Sequence, residues 1–96
     1  KFTNADQSSD HYGAIQYCKE RGMRLPTIRE LYDFCNAGAQ KDAQGYSANP
    51  VCAGKSYWSI SVLSSNTRRA LYVDGAYRTF GHDFRDQGHS VRCIEP

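Results

Sequence analysis

Four cysteines, Cys18, Cys35, Cys52 and Cys93, constrain this chain more than any other feature. Structural zinc takes cysteines in pairs roughly two to four residues apart, and here the gaps are 17, 17 and 41 residues. An even number of well-spaced cysteines in a short chain predicts a disulfide framework, and with it an oxidising, extracellular setting. The 96-residue length predicts one domain spanning 1–96. A core that small gains most from covalent staples.

Composition narrows the class further. Hydrophobic residues make up 40% and charged residues 23%, as expected of a folded domain and not of a disordered one. The net charge of +2 is too small to predict a nucleic-acid partner, which a basic stripe would announce. No apolar run approaches the roughly 18 residues of a membrane span, so insertion into a membrane is not expected. Lys1-Phe2-Thr3-Asn4 lacks the apolar stretch of a signal peptide, which predicts a mature product or a domain cut from something longer.

Helical signals fill the first half and strand signals the second, with the change near Tyr57. Such segregation predicts an α+β fold. A first helix is expected over residues 9–21, with Ser8, Ser9 and Asp10 as candidate N-caps. Tyr12, Ile15 and Cys18 would form its inner face, with Ala14 and Tyr17 beside them, and Gly22 would end it. Gly13 is costly inside a helix, which predicts either a close partner there or a later start. Thr27-Ile28-Arg29-Glu30 is a capping box for a second helix. Leu31, Phe34 and Cys35 would form its inward stripe, Leu25 would staple against Leu31, and Gly38 would close it. Residues 39–56 show little periodicity. A bridge from Cys35 to Cys52 would tie down that loop and stabilise by about 3 kcal/mol in the chain-entropy model.

The second half alternates. Trp58, Ile60 and Val62 are expected to face inward, with Tyr57, Ser59 and Ser61 opposite. Residues 64–67 read as a turn, and residues 69–73 as a strand with Leu71 and Val73 inward. Asp74-Gly75 reads as a tight hairpin. Residues 76–80 form the return strand, residues 81–88 a polar loop, and residues 89–94 a closing strand with Val91 and Cys93 on one face. Cys18 and Cys93 would then pin the first helix to the last strand.

Taken in order, Ala14, Tyr17-Cys18, Gly22, Arg24-Leu25-Pro26-Thr27, Glu30-Leu31, Tyr57-Trp58-Ser59 and Val91-Arg92-Cys93 resemble bacterial C-type-lectin-like domains. Similar patterns occur in the distal domains of intimin/invasin-type outer-membrane adhesins. The resemblance covers residues 10–94. It implies two helices packed on a twisted antiparallel sheet, and a bridge from the first helix to the last strand. Cys18–Cys93 matches that bridge and leaves Cys35–Cys52 as the second. It also implies a bacterial cell-surface location, host receptor binding and a part in virulence. The chain departs from the sugar-binding members, because it has neither the Glu-Pro-Asn or Gln-Pro-Asp tripeptide nor the Trp-Asn-Asp of calcium-dependent lectins. Glu95-Pro96 is not followed by Asn. Calcium, which needs converging oxygens, is therefore not expected, and neither is any other metal or cofactor.

No residue set in the sequence meets the requirement for a nucleophile, a base and a group orienting the base. His11, His82 and His89 lie far apart and not at helical metal spacing, so an enzyme is not expected. Trp58 and the Arg24–Leu31 block read as core and cap. The segment from Tyr77 to His89 is the better candidate for recognition, because tyrosine, phenylalanine and arginine concentrate in interface hot spots. Tyr77, Arg78, Phe84, Arg85 and Asp86 are the candidate ligand-binding residues, joined by Arg68 and Arg69 from the neighbouring strand. The 39–56 loop, with Tyr46, is a second candidate, since binding residues gather on scaffold-held loops. The expected partner is a host cell-surface protein or a glycan, with a glycosaminoglycan or a structural place at the tip of a pilus or filament as alternatives.

Overall fold

The structure, a computed structural model, describes residues 8–36, 40–41, 47–48, 55–75 and 79–96. The described residues form an α+β fold of two helices and a curled mixed sheet. In chain order the elements are β1 (Ser8–Ser9), α1 (His11–Glu20), α2 (Ile28–Asn36), β2 (Gln40–Lys41), β3 (Ser47–Ala48), β4 (Ser56–Leu63), β5 (Asn66–Asp74), β6 (Thr79–Phe84) and β7 (His89–Ser90). Five strands form the main sheet in the order β1-β7-β4-β5-β6, and β2 pairs with β3 separately. The β4–β7 pair is parallel and the others antiparallel, so the sheet is not purely antiparallel as expected.

Helix α1 begins later than the sequence suggested. Asp10 is its N-cap and accepts from the Gly13 N–H at 2.8 Å. This satisfies one of the orphan donors of the first turn. The cap also explains Gly13: a Cβ there would collide with Ser9 Oγ and press on Asp10 Oδ1. Gly22 follows the helix at φ 68°, a backbone state that costs glycine little. The buried face is His11, Ala14 and Cys18, while Tyr12 is 57% exposed. The expected stripe was therefore turned by about one residue.

The capping box of α2 forms as read. Glu30 N–H donates to Thr27 Oγ1 at 3.2 Å, and Thr27 N–H donates to Glu30 Oε1 at 2.8 Å. Glu30 also takes a two-pronged bond from Arg24, at 2.7 and 2.8 Å. Leu31 and Cys35 are buried and Phe34 is partly buried. Leu25 is buried too, but in a different cluster from Leu31, so the expected staple is replaced by two separate attachments. The expected stop at Gly38 lies outside the described residues.

Two cores lie on opposite faces of β4. Adjacent strand residues point to opposite faces, and Tyr57 and Trp58 are both fully buried. Trp58 joins Ala14, Cys18, Leu25, Ala70, Val91 and Cys93 on the α1 side. Tyr57 joins Leu31, Cys35 and Val73 on the α2 side. The simple alternation expected of β4 therefore fails: Ser59 is buried, while Ile60 and Val62 are 37% and 39% exposed. The register of β4 against β5 shifts between Trp58 and Val62. Within that irregularity Ile60 N–H donates to Pro26 O at 2.8 Å, and Ser59 Oγ donates to Leu71 O at 2.7 Å. Ser61 Oγ accepts from Ile28 N–H at 3.1 Å. The Ser59 bond keeps β4 tied to β5 across the irregularity, and the other two fasten the start of α2 to the strand.

The later strands also differ from expectation. On β5 it is Ala70 and Val73 that are fully buried, with Leu71 partly so. Asp74 pairs with Thr79, so Asp74-Gly75 opens a four-residue connection instead of a two-residue turn. Strand β6 runs on to Phe84, through half of the predicted polar loop. Beyond the short β7, Arg24 and Ile94 exchange backbone bonds at 3.0 and 2.8 Å.

The Cys18–Cys93 disulfide is present, with Cα atoms 5.5 Å apart. No cysteine among the described residues is free. The expected Cys35–Cys52 bridge falls on Cys52, outside the described residues.

The Glu30 carboxyl is held down at about 2, first by the Arg24 guanidinium and then by the Thr27 N–H. A depressed carboxyl contributes stability that is complete above its unfolded value of 4.5 and fades as pH falls towards 2. Glu30→Gln should therefore lower the melting temperature at pH 7, and the gap to the parent domain should close as pH falls to about 2–3. Paired thermal melts monitored by circular dichroism measure both.

Candidate functional site

The site grows from the turn after β6. Gln87 N–H donates to Phe84 O at 3.0 Å, which reverses the chain. Arg85 N–H then donates to Arg68 O at 3.0 Å, extending the β5–β6 ladder by one step, while His11 N–H donates to Arg85 O at 2.9 Å. The backbone of Arg85 is thus fixed between β5 and the first residue of α1.

Its side chain is fixed as firmly. Arg85 Nε donates to His11 Nδ1 at 2.9 Å, and Nη1 reaches Thr67 O at 3.4 Å. The guanidinium lies over the Tyr12 ring, 4.1 Å from its centre, a favourable cation–π arrangement. On its other side His11 Nε2 meets Ser59 O at 2.8 Å. A carbonyl only accepts, so Nε2 carries the proton and Nδ1 offers its lone pair to Arg85. The neutral ring is what this requires. Burial lowers the His11 pKa and the Arg85 charge lowers it further, against the bond to Ser59 and the Asp10 carboxylate. His11 also packs edge-on against Trp58, with centroids 5.0 Å apart.

Around this anchored arginine, Tyr12, Arg68, Phe84, Arg85 and Asp86 line an open cleft of about 310 Å³. Arg68 is exposed, and its guanidinium has no hydrogen-bond partner among the described residues. Arg69 lies opposite Phe84 in the ladder. Its guanidinium sits 3.9 Å from the centre of the Phe84 ring and donates from Nη1 to His82 Nδ1 at 3.2 Å. The fold therefore gathers Arg68, Phe84, Arg85 and Asp86 in one cleft and sets Arg69 beside it on Phe84. Phe84 stands at the end of a strand, not within a loop. Tyr77, Arg78 and Tyr46 lie outside the described residues.

Two members were missed in the sequence. The sequence pattern puts Tyr12 on the inner face of α1, yet it forms the cleft wall. His11 was set aside as isolated, yet it orients Arg85 across 74 residues of chain. The one available signal was an N-cap at Asp10, which places both residues in the first turn of α1.

A second polar line was also illegible. Ser56 Oγ lies 2.6 Å from His89 Nδ1, and His89 Nε2 lies 2.8 Å from Asp83 Oδ2. Burial alone would raise the Asp83 carboxyl, but the bonds from His89 and Phe84 N–H and the nearby positive charges outweigh it and lower the pKa. A serine, a histidine and an acid thus stand in bonding order, which the sequence did not suggest. The His89 ring is stacked on Tyr72 at 4.4 Å and meets the edge of Trp58 at 4.5 Å. Ser56 does not line the cleft of Arg68 and Arg85. The line works as a clamp joining β4, β6 and β7.

No protein-family model matches this chain, and no curated protein or solved structure matches it. Among the described residues no helix is long and apolar enough to cross a membrane.

Because the His11 pKa is depressed on folding, the unfolded chain binds this proton more readily than the folded one. Stability should therefore fall as pH drops below about 6.5. Protonation would also give His11 and Arg85 two facing donors and break their bond. His11→Gln should flatten that slope, as read from urea midpoints across the same range.

Proposed function

We propose that this chain is an extracellular recognition domain, of the kind that forms the receptor-binding tip of a bacterial surface adhesin, and that it binds without calcium. The observation that carries the reading is the anchoring of Arg85. A guanidinium held by His11, Thr67 and the Tyr12 ring loses little freedom when it meets a ligand, and such preorganisation favours affinity. Arg68 and Phe84 beside it supply the arginine and aromatic surface that dominates interface energetics. A disulfide-bearing small domain and the order of residues resembling lectin-like adhesin tips support the extracellular setting. The ligand surface is the cleft of Tyr12, Arg68, Phe84, Arg85 and Asp86, with Arg69 at its rim.

A second reading rests on the closeness of Arg68 and Arg85. Guanidinium groups bind sulfate and carboxylate through paired hydrogen bonds, so an acidic glycan is the alternative to a host protein.

The Arg68→Ala/Phe84→Ser variant should bind host cells at least about tenfold more weakly than the parent domain while keeping its melting temperature within a few degrees, since truncating hot-spot residues costs about 1–4 kcal/mol. Flow cytometry with the labelled domain measures this, and unchanged binding would move the site elsewhere. A glycosaminoglycan ligand would be released steeply by salt, whereas a protein ligand buried in the cleft would respond weakly.

A further inference from the structure

Strand β6 has a second side. It is the last strand of the five-stranded order, and among the described residues no strand pairs with its outer edge. Arg85 N–H bonds to Arg68 O, which sets the phase of the antiparallel ladder. Alternate pairs exchange hydrogen bonds, so Asp83, Gly81 and Thr79 point their backbone groups at β5. Phe84, His82 and Phe80 point theirs outward. At Phe84 both groups are taken, the N–H by Asp83 Oδ1 at 2.8 Å and the carbonyl by Gln87 N–H. Phe80 and His82 are left, offering two donors and two acceptors at i and i+2. One added strand satisfies that set.

Edge strands are usually blunted by lysine, proline or an inward charge. Here the edge reads Thr-Phe-Gly-His-Asp-Phe, without lysine or proline; its one acid, Asp83, is turned inward onto His89 at the far end of the strand, while Phe80 is 62% exposed. Next to it lies an open cleft of about 520 Å³, walled on one side by Ile28, Arg29, Tyr32 and Asp33 of α2 and on the other by Phe80. Tyr32 and Phe80 meet edge to face at 5.9 Å. Arg69, Leu71 and Val73 share the α2 face with their partners Phe84, His82 and Phe80, which puts the Arg69 guanidinium at the other end of the same edge.

We infer that this edge and cleft together bind an extended segment of a partner protein as an added β-strand. Backbone bonds to Phe80 and His82 would supply register, and pockets for alternate side chains would supply selectivity. One apolar side chain of the segment enters the cleft between α2 and Phe80, and an acidic side chain further along meets Arg69. A glycan offers no alternating donors and acceptors at strand spacing, so the partner at this surface is polypeptide. This surface meets the cleft of Arg68 and Arg85 only where Arg69 lies on Phe84, and the backbone edge at Phe80 and His82 does not depend on what that cleft binds.

The test uses the intact, oxidised, nitrogen-15-labelled domain and the peptide acetyl-Thr-Val-Thr-Leu-Thr-Asp-Thr-amide, with a version N-methylated at alternate residues as control. The expected result is saturable shift changes at millimolar peptide, the affinity range of a few unaided contacts. Phe80 and His82 amides should exchange at least about tenfold more slowly with peptide bound, while Gly81 and Asp83 change little. The N-methylated peptide should not bind. His82→Pro removes an outward donor together with the imidazole bonded to Arg69 and should abolish binding, His82→Ala, which removes the imidazole alone, should keep it, and Phe80→Ser, at an exposed position, should weaken it about tenfold by emptying one wall of the cleft. Overturning results are shifts that map away from β6, equal binding of the N-methylated peptide, or no shift at any soluble concentration. Protection of Phe80 and His82 that rises with domain concentration alone would also overturn it, by assigning the edge to a second copy of the chain.

Discussion

The link between Cys18 and Cys93 sets what the rest of the structure can do. It joins the last turn of α1 to a segment 75 residues away and, on loop length alone, restricts the unfolded chain by about 4–5 kcal/mol. Both sulfurs lie in the cluster that holds Trp58, so the bridge is also part of the core. The backbone pair between Arg24 and Ile94 continues the same attachment past the end of α1. With those two fastenings, α1 cannot move relative to the C-terminal segment. His11 at the start of α1 then becomes a fixed post against which Arg85 can be oriented.

The helices divide the labour. Helix α1 carries the histidine and tyrosine that hold the arginine cleft. Helix α2 is seated by its own N-terminus: the reciprocal Thr27–Glu30 bonds, the Arg24 fork, the bond that Pro26 O accepts from Ile60 N–H and the one that Ile28 N–H donates to Ser61 Oγ. This seating sets α2 above β6 and creates the second cleft. On the same side Arg92 is buried, with its guanidinium over the rings of Tyr57 and Phe34 at 5.1 and 5.5 Å. The cation–π theme of the exposed cleft thus recurs inside the α2 core.

What could be read in the sequence was what is decided locally. The capping box and the Gly22 stop depend on neighbouring residues, and they appear as read, as does the pairing of Cys18 with the last segment. The simple alternation of β4 did not survive, because that strand is buried on both faces and interrupted where Ser59 and Ile60 bond elsewhere. Alternation cannot report a strand with two insides. The candidate cluster was partly legible, since arginine and aromatic residues stand out in composition. The contacts that give it form were not, because His11 meets Arg85 and Ser56 meets His89 only after the chain has closed on itself.

The opposed burial of Tyr57 and Trp58 has an optical consequence. The chain has a single tryptophan, and its indole belongs wholly to the α1 core, donating to Ser9 O at 2.9 Å. Its fluorescence is therefore a gauge of one hemisphere. Loosening of α2 from the far side of the sheet would leave that emission dark to the event, and the tyrosines around Leu31 would have to report it instead.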